Sequence, residues 1–97
     1  MIRAVVLAKL KPGYDTAELA RIQQAFSDLN LPGTLSYTVG TDAGLREGNW
    51  DLVIVADFVD TAAYRGYDED AEHNRWRARL APLVDQIARA QFEVPDI

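Results

Sequence analysis

The chain has 97 residues, 48% hydrophobic and 26% charged. These are the proportions of one ordinary globular domain, taken here as residues 1–97. It contains no cysteine, which excludes disulfides, thiolate nucleophiles and thiolate-held metal clusters. Ten basic against 15 acidic side chains give a formal net charge of −5, a poor match to nucleic acid. No apolar run approaches the ~20 residues of a membrane span, and the apolar start is too short for a signal peptide. The expectation is a cytoplasmic protein with no membrane or nucleic-acid partner.

Ile2 to Leu10 contains Val5, Val6 and Leu7, a β-branched run too short for a helix, and reads as a strand. Lys11-Pro12-Gly13 ends it. Asp15 or Thr16 caps a helix, with Glu18 three residues after Asp15 as in a capping box. Leu19, Ile22, Phe26 and Leu29 then form one apolar stripe, and Pro32-Gly33 stops the helix. From Thr34 to Val39 the chain alternates, with Leu35, Tyr37 and Val39 on one face. Gly40 to Asn49 is a loop whose glycines match no phosphate-binding pattern.

Trp50 to Phe58 is the strongest strand. Leu52, Ile54, Ala56 and Phe58 share one face, and Val53 and Val55 the other. Asp60 caps a short helix reaching Tyr67. Asp68-Glu69-Asp70 breaks it and opens another from about Ala71 to Leu80. The acids there, with Glu72, suit the positive end of that helix and match no calcium loop. Arg75, Arg77 and Arg79 cannot share one helix face and read as solvated surface. Pro82 interrupts the chain, and a last strand is expected from about Ala88 to Val94, where Ala88, Ala90 and Phe92 alternate with Arg89, Gln91 and Glu93.

The order β-α-β-β-α-α-β predicts an α+β fold: a ferredoxin-like, four-stranded antiparallel sheet with helices on one face. The first and third strands are apolar on both faces, so the bare face needs a cover. A second copy of the sheet is the simplest, which predicts a homodimer packed sheet to sheet through Val5, Leu7, Val53 and Val55.

The chain resembles the stress-responsive α/β-barrel (Dabb, dimeric α+β barrel) family over nearly its whole length. The resemblance rests on the opening Ile2–Lys11, the Gly-Asn-Trp-Asp-Leu-Val-Ile-Val-Ala-Asp-Phe stretch at 48–58, Tyr67 with His73 six residues later, and the closing Gln91-Phe92-Glu93-Val94. Plant members include a polyketide cyclase and a hydroxynitrile lyase, and many members have no established activity. In the cyclases the pocket lies between helices and sheet. The resemblance gives His73 the position of the cyclase base and Tyr67 that of the tyrosine paired with it. The remaining family histidines are replaced by Ala4, Leu52 and Asp70, and the family's proline by Ala71. One base and one donor remain, enough for enolisation or isomerisation but thin for a multi-step cyclisation.

His73 is the only histidine, and an imidazole with a pKa near 6.5 is a natural proton acceptor at neutral pH. Its competing reading is structural, bonded to the acids around it. An unbroken helix would hold Tyr67 and His73 ~120° apart, whereas the acidic break lets them converge. The expected function is therefore binding of a small, largely apolar molecule, aromatic or polyketide-like, with cofactor-free and metal-free acid–base chemistry of the cyclase, isomerase or lyase type. His73 is the candidate base and Tyr67 the candidate oxyanion donor. The expected lining is Ala4, Val6, Ala8, Phe26, Tyr37, Leu52 and Ile54, with Trp76 either a wall or packed on the sheet. The alternatives are a non-catalytic, stress-associated dimeric scaffold and a cofactor-free monooxygenase.

Overall fold

A computed structural model describes residues 1–95. The elements run β1 (Ile2–Leu10), α1 (Thr16–Asp28), β2 (Thr34–Thr41), β3 (Leu52–Phe58), α2 (Thr61–Glu69), α3 (Ala71–Leu80) and, after a 3₁₀ turn at Ala81–Leu83, β4 (Val84–Glu93). The strands form one sheet in the order β2-β3-β1-β4. All neighbours are antiparallel. This is the ferredoxin-like α+β fold that the element order predicts.

Three aspartates punctuate the helices. The Asp15 side chain accepts from the Glu18 N–H at 3.0 Å, and the Asp60 side chain from the Ala63 N–H at 2.9 Å. Asp70 does two things. Its extended backbone ends α2, and its carboxylate accepts the His73 N–H at 2.9 Å to start α3. The chain turns between Tyr67 and His73 because of this one residue.

Residues alternate across β1 and β3 as the sequence predicts. Ala4, Ala8 and Leu10 of β1 and Leu52, Ile54, Ala56 and Phe58 of β3 are buried under the helices. Leu19, Ile22 and Phe26 of α1 meet them there, with Leu80 of α3. The opposite face carries paired rows: Val55–Val5–Ala90, and Val53–Leu7–Ala88. Its valines are half-buried, while Leu7 is 42% and Phe92 46% exposed.

Four expectations shift. The last strand begins at Val84, not Ala88, because Pro82 sits in a single 3₁₀ turn and the chain then pairs at once with Leu10 and Lys9. The third strand begins at Leu52 rather than Trp50, and the second extends to Thr41. Leu35 does not share the buried face of Tyr37 and Val39. A register shift between Thr34 and Ser36 leaves it 57% exposed.

Gly33 closes the α1–β2 turn at φ +80, and a Cβ there would lie 2.5 Å from the Ala63 Cβ. Gly33→Ala should therefore cost about 3 kcal/mol, combining left-handed strain with a backbone-fixed clash. Gly44, at φ +74 with nothing within 4 Å, should lose only about 1 kcal/mol as alanine. Thermal melts of the two variants check the difference.

Candidate functional site

A cavity of ≈350 Å³ lies between the sheet and the helices. β1 contributes Ala4 and Val6, β3 contributes Ile54 and Ala56, and α1 contributes Phe26. The small Ala4 and Ala56 stand opposite each other in the register and leave the floor open. Tyr64, Tyr67 and Asp68 of α2 and His73, Arg77 and Leu80 of α3 form the helical wall. Ile87, Arg89 and Gln91 of β4 form the remaining side.

His73 and Tyr67 do meet. Their ring centroids are 4.0 Å apart, tilted by 41°, and the Phe26 ring lies 5.7 Å from the imidazole. His73 is only 4% exposed, and its Nδ1 is buried with no hydrogen-bond partner among the described residues. Burial, with the nearby Arg77 charge, lowers its pKa to about 4, and Asp68, Asp70 and the Tyr67 backbone pull back only in part. The imidazole is thus neutral at pH 7. This departs from the near-neutral pKa that the sequence suggests. Glu72 does not offset it, because its carboxylate turns to Arg75 and the Trp76 indole N–H.

The Tyr67 hydroxyl lies 2.8 Å from the Tyr37 hydroxyl. Tyr67 also packs edge-on against Phe58, with centroids 5.1 Å apart, and stacks with Tyr64 at 6.3 Å. Burial raises the pKa of both Tyr37 and Tyr67, so both phenols keep their protons and remain donors. One proton of the pair lies between the two oxygens, and the other is available to a ligand oxygen.

The structure brings Ala4, Val6, Phe26, Ile54, Tyr67 and His73 to this cavity and separates four other candidates from it. Leu52 is buried in the main core and borders a different hollow, of ≈390 Å³, with Leu7, Trp50 and Val53. Ala8 is fully buried in that core. Trp76 is no wall of the cavity: its indole donates to Glu72, and the Arg79 guanidinium lies over its ring at 4.4 Å. Tyr37 acts through Tyr67 rather than lining the space.

Sequence reasoning missed Arg77, which it grouped with the solvated arginines. The guanidinium donates to the Asp68 carboxylate at 3.0 Å, to the Asp68 carbonyl at 3.1 Å, and to Asn74. This brace ties α3 to the end of α2. Its signal was the i+4 spacing from His73, which puts Arg77 on nearly the same helical face.

A ferredoxin-like sheet with a polar-flanked aromatic cavity under its helices defines the class. The chain belongs to the stress responsive A/B barrel domain (Dabb) family, whose model matches residues 2–94. Among solved structures it is similar to a dimeric ferredoxin-like protein of unknown function from Thermobifida fusca. That match has 27% identity and TM-score 0.88, and covers 96% of this chain and 90% of the other. It has the fold of a hydroxynitrile lyase from Passiflora edulis, at 15% identity and TM-score 0.84, with 99% and 94% covered. A Dabb family protein from Mesorhizobium loti matches at 20% identity and TM-score 0.74, with 98% and 97% covered. No curated protein matches the sequence significantly. No helix among the described residues is long and apolar enough to cross a membrane.

Proposed function

We propose that the protein is a homodimer that binds a small, largely apolar carbonyl compound in each protomer, between helices and sheet, and moves a proton on it without a cofactor. The observation that carries this reading is His73: a buried, neutral imidazole with an unpartnered nitrogen, bordering an open cavity and touching a tyrosine that keeps its proton. A purely structural histidine at that depth would have its nitrogens satisfied.

Neutrality fixes the division of labour. With a pKa of about 4, His73 is a reluctant base on its own. It accepts a proton from a carbon acid more readily when the resulting enolate lies beside it, because opposite charges attract strongly in a low-dielectric space. Tyr67 supplies the hydrogen bond to that enolate oxygen. Tyr37 orients Tyr67 through the 2.8 Å contact. The dimer is supported by the apolar outer face of the sheet and by the dimeric state named for the Thermobifida fusca protein.

The test is hydrogen exchange at the α-carbon of 1-phenyl-2-propanone in heavy water. The wild type should accelerate exchange, and His73→Ala should slow it by about a hundredfold, the usual share of a general base. Resonance shifts of the Tyr67 ring without acceleration would leave binding and remove the proton transfer. Neither effect would favour the non-catalytic scaffold.

A further inference from the structure

The cavity is apolar at its floor and carries charged groups on two sides, Asp68 and Arg77 on the helical wall and Arg89 on β4. The register sets Arg89 opposite Val6 and Gln91 opposite Ala4. Both therefore stand on the helix-covered side of the sheet, exposed at the rim of the cavity because β4 is an edge strand, while Ala88, Ala90 and Phe92 occupy the outer face. The ion pairs among the described residues engage Arg3, Arg21, Arg75, Arg77 and Arg79. Arg89 belongs to none of them. Two guanidinium groups border the cavity. That of Arg77 is answered by Asp68 at 3.0 Å, and that of Arg89 is not answered. Burial raises the pKa of the Tyr64 hydroxyl, and the Arg89 charge, with those of Arg77 and Arg65, offsets part of that rise. A chain of net charge −5 thus holds an uncompensated positive charge at the side of its aromatic cavity.

We propose that the natural ligand is an apolar acid whose carboxylate pairs with Arg89, with Gln91 as the adjacent donor, while its apolar body rests on Val6 and Phe26. The guanidinium fork matches a carboxylate in two parallel hydrogen bonds and so fixes direction as well as charge. A ligand held there by its anionic end presents its other end to Tyr67 and His73. This inference rests on the reading of the cavity as a ligand site, and it adds the charge and orientation of the ligand. The competing role for Arg89 is to blunt an edge strand, since an inward charge on an edge deters pairing with other chains.

The probes are 2-naphthoate and its neutral counterpart 2-naphthamide, each titrated at pH 7 while the Tyr67 and His73 ring resonances are followed. The wild type should bind naphthoate about tenfold more tightly than naphthamide, as one charge-assisted pair provides. Arg89→Gln should reduce that preference to within twofold, and Arg89→Lys should restore part of it. Arg65→Gln, an equal change of net charge outside the cavity lining, should leave the preference intact. Equal binding of the two probes to the wild type overturns the anionic ligand alone and leaves the cavity reading standing. A preference that persists in Arg89→Gln assigns Arg89 to edge protection and overturns its role. Failure of both probes to move either ring overturns this inference and the cavity reading together.

Discussion

Val53→Asp should turn the protein into a monomer. Val53 sits on the outer sheet face in the row with Leu7 and Ala88, beside the row of Val55, Val5 and Ala90. In a sheet-to-sheet dimer this patch is the centre of the contact, and each copy contributes the same residue. A carboxylate there would be buried in the contact without a partner. An unpaired buried charge costs roughly 3–5 kcal/mol, so the dissociation constant should rise about a thousandfold or more. Sedimentation velocity at micromolar concentration reads this directly. The fold should persist, because Val53 is on the surface of a single protomer and the helix-facing core is untouched. A variant that remains dimeric would place the contact elsewhere.

His73 should make the protein acid-sensitive in a window above the carboxylates. Its folded pKa of about 4 lies below the 6.5 of the unfolded chain, so the unfolded state takes up the proton first. The stability from the neutral imidazole is therefore fully present above pH 6.5 and is lost as pH falls through 6.5 towards 4. A difference of this size corresponds to about 3 kcal/mol in total, with about 2 kcal/mol lost between pH 6.5 and 5. Glu18, Asp57 and Glu72, whose pKa values are lowered by their arginine partners, lose their contribution in the same direction but at lower pH. Urea unfolding at pH 5, 6 and 7 should show the slope in the wild type, and His73→Phe should abolish it. A wild-type stability flat across that interval would mean that the imidazole is well solvated or already paired.

The alternation in β1 and β3 made most of the fold legible, because each strand buries one face in its own core and leaves an apolar face outside. The acidic break was legible too, and with it the meeting of Tyr67 and His73. Position along an element was harder to read. Leu52 is on the predicted face but too near one end of β3 to reach the cavity. Trp76 is one turn from His73, yet three residues leave it about 60° around the helix, where Glu72 and Arg79 hold it. Arg89 and Gln91 alternate visibly in the sequence. Which face they occupy is decided only by the pairing of β4 with β1, a non-local fact that no local pattern carries. The histidine's neutrality was hidden for the same reason: it depends on Phe26, Tyr67 and Arg77 converging from three separate elements.

The most direct test of the account is a crystal structure of the protein grown with an aromatic carbonyl acid. The expected result is an open cavity of about the volume described here, with ligand density between the Tyr67–His73 pair and the Arg89 side of β4. A cavity closed by the chain's own Tyr64, Ile87 and Arg89 side chains, with no room for a ligand, would contradict it.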